Sequence, residues 1–138
     1  MGSLLVAPSA GRKKARKMKT PIRVKYLDWE GAEARGRGTP GYDRFYKMMA
    51  GEMPPTKADL ADYFVDMGAV RFPHCFNMVM AAKDEAICEA IWVALQNGVG
   101  AGVEATLGRR ARSMCVGDVI CIGGRVWAAA NCGFVRVR

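Results

Sequence analysis

The stretch DVICIGGRVWAAANCGFVRVR, residues 118–138, decides the fold. Three runs rich in β-branched and aromatic residues, at 118–122, 125–129 and 134–138, are separated by Gly123-Gly124 and by Asn131, Cys132 and Gly133. A two-residue glycine turn between apolar runs is a hairpin signal, and the second short turn extends the hairpin into a three-stranded meander.

Outward from the meander, residues 84–97 carry the clearest helical spacing. Ile87, Cys88, Ile91, Trp92, Ala94 and Leu95 form a broad apolar face, with Glu85, Glu89 and Gln96 opposite and Gly98 as the stop. Tyr42, Phe45, Tyr46 and Met49 fall at i, i+3, i+4 and i+7 and predict a second helix that Pro54-Pro55 ends. Leu60, Tyr63, Phe64 and Met67 repeat that spacing and predict a third, capped by Thr56 and stopped by Gly68. Strands are expected over 21–27, where Ile22, Val24 and Tyr26 alternate with Arg23 and Lys25, and over the apolar run 75–81. The glycine-rich, charged segment 29–41 reads as a surface loop. These elements predict an α+β fold, three helices packed on one face of a small, largely antiparallel sheet that ends in the meander. Leu60, Phe64, Ile87, Ile91 and Leu95 are its expected core.

The 138 residues suit a single domain, assigned to 20–138, preceded by a disordered basic arm at 1–19. The net charge of +8 belongs to the N-terminal end. Residues 1–26 hold 8 basic side chains and no acid, 27–104 hold 7 basic and 12 acidic, and 105–138 hold 6 basic and one acidic. The folded part is thus neutral in sum but polarised. Met18 opens MKTPIRVKYLD, which reads as an ordinary start before the first strand, so residues 1–17 are also explicable as an extension from an upstream start. A chain beginning at Met18 is expected to fold.

Apolar runs fall well short of the roughly 18 residues of a membrane span, and Leu4-Leu5-Val6-Ala7 precedes the basic cluster where a signal peptide would follow one. A cytoplasmic protein with no membrane partner is expected. Five scattered cysteines fit reduced thiols better than a disulfide framework, and the spacings C-x5-C and C-x10-C with a single histidine do not suit zinc. No metal, cofactor or catalytic residue is assigned. His74-Cys75 invites a thiol-enzyme reading, but neighbours on an extended chain point to opposite faces. Gly98, Gly100 and Gly102 follow a helix, where a dinucleotide site needs them after a strand.

Three groups are the candidate binding residues. Arg12, Lys13, Lys14, Arg16 and Lys17 on the arm suit phosphates without a fixed geometry. Arg109, Arg110, Arg112, Arg125 and Arg136 lie before or on the meander, near Trp127 and Phe134, and suit phosphate or base stacking. Asp59, Asp62 and Asp66 fall at i, i+3 and i+7 and would form an acidic partner face on the third predicted helix.

The residues Arg112, Ser113, Val116, Gly117, Asp118, Val119, Ile120, Gly124, Gly133 and Phe134 carry a resemblance. The last 50 or so residues resemble a module of small bacteriophage and plasmid proteins, R-S-x-S-V-G-D-V-I followed by a glycine turn, a strand and a terminal G-F. Cys115 stands where such sequences have serine. The resemblance implies a mobile-element origin and transfers no catalytic residue. The expectation is a non-enzymatic phage or mobile-element accessory protein that binds a host or viral protein or nucleoprotein complex, inhibition of a host defence complex being one form. The rivals are a nucleic-acid-binding accessory protein using the arm and the sheet arginines, and a small thiol-dependent enzyme. A salt-dependent gel shift separates the first two.

Overall fold

Ile22, Val24 and Tyr26 are buried along the first strand while Arg23 is exposed, and this strand has a neighbour on both sides in the sheet. The computed structural model describes residues 22–71, 83–96, 107 and 111–138; the arm, the expected strand at 75–81, His74-Cys75, Arg109, Arg110 and the glycines at 98, 100 and 102 lie outside them. In chain order the elements are β1 (Ile22–Leu27), α1 (Trp29–Arg35), α2 (Pro40–Met49), α3 (Asp59–Tyr63), β2 (Phe64–Ala69), α4 (Asp84–Ala94), β3 (Val119–Ile122), β4 (Arg125–Ala129) and β5 (Phe134–Arg136). The fold is α+β. Among the described residues the sheet has five strands, paired antiparallel in the order β2-β1-β3-β4-β5, and ends in the expected meander. Gly123, at φ +60°, supplies the left-handed residue that the two-residue β3–β4 turn needs.

Two segments differ from the reading of the sequence. The segment expected to be a loop contains α1. The Asp28 carboxylate caps it by accepting from the Gly31 N–H at 2.9 Å, Glu30 and Arg35 sit at the ends the helix dipole favours, and Ala32 is buried beside Leu27, Phe45 and Met48. Capping and burial outweigh the cost of a glycine inside the helix. The third predicted helix stops at Tyr63, because Phe64 takes extended geometry (φ −126°, ψ 151°) and the chain pairs with β1 instead. A short apolar run fits either period, and Phe64 and Val65 favour the strand. Gly68, at φ +97°, marks a register shift against Val24 and Lys25 that leaves Met67 as an extra, buried residue; it forms a bulge, not a helix stop.

Helices cover both faces of the sheet, not one. On one face Ile22, Val24, Tyr26, Ile120 and Ile122 pack with Ile87, Cys88 and Ile91 of α4. On the other, Leu27 packs with Ala32, Phe45 and Met48 from α1 and α2, and Val119, Val126, Ala128 and Val137 form a second cluster with Leu60 and Phe64 packed against it. The unbroken apolar run of β3 is the cause, since both sides of that strand need cover. Leu60, Phe64 and Leu95 are only partly buried, whereas Ile87 and Ile91 are core. Ile91 is completely enclosed, so Ile91→Ala is expected to cost about 2–5 kcal/mol, read as a lower denaturation midpoint. No helix among the described residues is long and apolar enough to cross a membrane.

Candidate functional site

The segment 111–118 is built around a buried carboxylate. Asp118 is fully enclosed and accepts from the Leu27 N–H at 2.8 Å, the Cys115 N–H at 2.7 Å and both terminal nitrogens of Arg112 at 2.7 and 2.9 Å. The same guanidinium donates to the carbonyls of Ser113 at 3.0 Å and Leu27 at 3.2 Å, and its carbon lies 4.4 Å from the Tyr26 ring centre and 4.9 Å from that of Trp29. Burial raises the Asp118 carboxyl above its ordinary pKa, against the pull of Arg112 and the two backbone amides. Burial and the charge of Asp118 likewise push the Tyr26 phenol up to about 12. Between these groups Gly117, at φ +94°, lies against Met48 and Leu27. Arg112, Gly117 and Asp118 therefore tie the loop at 111–118 to β1. Arg112, grouped by sequence with the binding arginines, has both terminal nitrogens engaged inside the fold.

Asp84, the first residue of α4, gathers a second cluster. Arg125 donates to it through Nε at 2.6 Å and Nη2 at 3.0 Å, and the Trp127 indole N–H donates at 3.0 Å. The Arg125 hydrogen bond, against partial burial and with help from Trp127, holds the Asp84 carboxyl below its ordinary value. The folded pKa is thus depressed, so the stabilisation is present above the unfolded value near 3.9 and is lost as pH falls through the folded one. Asp84→Asn is expected to show a shallower loss of stability on acidification below about pH 4 than the parent chain, measured by thermal melts across pH.

Arg136 is exposed on the same sheet face, paired across β4–β5 with Trp127, and its guanidinium carbon lies 5.8 Å from the Trp127 ring centre. Among the described residues it has no ion-pair partner. Next along this face, Trp92 of α4 and Phe134 of β5 meet edge to face at 6.3 Å and 83°. They line an open cavity of about 200 Å³ with Glu89, Ala129, Ala130, Asn131 and Gly133. The structure thus brings Arg125 and Arg136 together with Trp127 and sets an aromatic-walled cavity beside them. Asp84, Glu89 and Trp92 were not singled out as site residues from sequence.

The acidic stripe is not formed. Asp59 begins α3 but is mostly buried, its carboxylate held by Arg44 and by the Thr56 N–H and hydroxyl at 2.7 and 2.9 Å. Burial would raise this carboxyl, yet the Arg44 and Thr56 hydrogen bonds bring it below its ordinary value. Asp62 is exposed on α3, and Asp66 lies on β2, where it pairs with Arg23 at 3.0 Å. The early end of α3 is what separates them. Among the described residues no three His, Cys, Asp or Glu side chains gather as a metal-holding group, and Cys88, Cys115, Cys121 and Cys132 are free thiols. Burial pushes the Cys88 thiol up to about 12.

No family model, curated protein or solved structure matches the chain.

Proposed function

We propose that the protein is a non-enzymatic accessory protein, of the phage or mobile-element kind that its C-terminal third resembles, which binds a host or viral protein through the face formed by α4, β4 and β5. One observation carries this reading: Arg136 lies exposed over Trp127 beside an open cavity walled by Trp92 and Phe134. Tryptophan, phenylalanine and arginine are enriched at protein interfaces, and tryptophan and arginine anchor much of their binding energy. A nucleic-acid platform fits this face less well. Trp127 holds its N–H on Asp84 and one ring face near Arg136, Arg125 is neutralised by Asp84, and exposed Glu85 and Glu89 set negative charge alongside. Single-stranded nucleic acid asks for free ring faces and uncompensated cations.

Site-specific photocrosslinking in cells tests the proposal. A photoreactive residue at position 132, exposed on the β4–β5 turn beside the cavity, is expected to give a discrete protein adduct that survives nuclease, while the same residue at position 30 on α1 gives none. Equal adducts at both positions, or an adduct that nuclease removes, would overturn it.

A further inference from the structure

We infer that the cavity between α4 and the β4–β5 turn receives a cationic side chain, lysine or arginine, from the protein partner, an assignment that rests on the partner-binding reading of this face. The walls favour such an occupant. The Trp92 and Phe134 rings stand nearly perpendicular and both line the cavity, so a group entering it meets two aromatic side chains. Glu89 lies three residues before Trp92 on α4 and lines the same cavity. A carboxylate beside aromatic rings is the setting in which ammonium and guanidinium groups bind, through charge and the ring quadrupole together.

The charges nearby point the same way. Asp84 is already paired with Arg125, but Glu89 is exposed and has no ion-pair partner among the described residues. Exposed Glu85, one helical turn before it, adds to the negative rim. The nearest described cation on β5, Arg136, is two residues and about 7 Å of strand beyond Phe134 and lies over Trp127 instead. Size narrows the occupant further. About 200 Å³ is room for one long side chain. Pockets for drug-sized ligands run from about 300 to 1,000 Å³.

The test is a titration of the isotope-labelled full chain followed by NMR, with N-acetyl-arginine amide and N-acetyl-lysine amide as probes and N-acetyl-citrulline amide as the neutral match. At least one cationic probe is expected to give saturable shifts at the Trp92 indole and at residues 131–134, with a millimolar Kd. Citrulline is expected to bind about fivefold more weakly or not at all, and Glu89→Gln is expected to weaken the cation about fivefold while melting like the parent. Absence of saturable shifts, equal binding of citrulline, or an unchanged Glu89→Gln affinity would overturn the assignment. The crosslink at position 132 reads the broader proposal independently. An adduct there with a failed titration removes only the cavity's occupant, whereas loss of the adduct removes the partner-binding face itself.

Discussion

Replacing Asp118 with alanine is expected to destabilise the protein by about 3–5 kcal/mol, a fall in Tm of roughly 10–20 °C. The change leaves Arg112 half-buried without its counter-charge and orphans the Leu27 and Cys115 amides, and each of those losses is costly where water is excluded. Thermal and urea melts read the effect directly; a Tm within error of the parent would show that the pair contributes nothing. Arg112→Met makes a complementary case with a pH signature. Burial already raises the Asp118 pKa, and removing Arg112 takes away the side chain that opposes this rise. A group whose folded pKa is raised contributes stability below its unfolded pKa and loses it as pH rises through the folded value. Arg112→Met is therefore expected to be least destabilised near pH 4 and most destabilised at neutral pH.

Gly117→Ala is expected to cost about 2–5 kcal/mol although it adds a single methyl group. The backbone there holds φ +94°, which side-chain-bearing residues rarely adopt, and a Cβ would stand 2.8 Å from the Met48 carbonyl oxygen and 2.6 Å from Leu27 Cδ1. Leu27 has a flexible end and yields; the Met48 carbonyl is backbone at the end of α2 and does not. Gly124→Ala is the control, because nothing lies within 4 Å of its added Cβ, and it is expected to change stability far less. Equal melting of the two variants would refute the close approach.

The elements read correctly from sequence are those whose period is repeated or punctuated. The alternation of Ile22, Val24 and Tyr26, the long apolar face of residues 84–97 and the glycine turns of the meander each fit one structure. Residues 59–69 did not, because five helical residues followed by six extended ones carry an apolar spacing that a continuous helix also explains. Only pairing with β1, set by distant residues, decides between them. Arg125 and Arg136 were legible as sheet arginines, but their relation to Asp84 and Trp92 depends on which face α4 covers, and no local pattern states that. Asp118 left one usable signal: it is the single acidic residue among 105–138, inside a run of apolar neighbours, where an unpaired charge would be intolerable.

β1, second in the sheet order, is flanked by strands from early and late in the chain. Its partner on one side, β3, comes so late that the Leu27 amide waits for a carboxylate 91 residues further on. At ribosomal speeds of about 5–20 residues per second, that interval lasts roughly 5–18 s. The hairpin-like pairing with β2 forms from earlier segments, yet it leaves the other side of an apolar strand with bare amides and carbonyls, the geometry that recruits strands from neighbouring chains. Polypeptides halted before Val119 carry that open side permanently, so the yield of sound protein rests on finishing translation and not on how quickly the first half collapses.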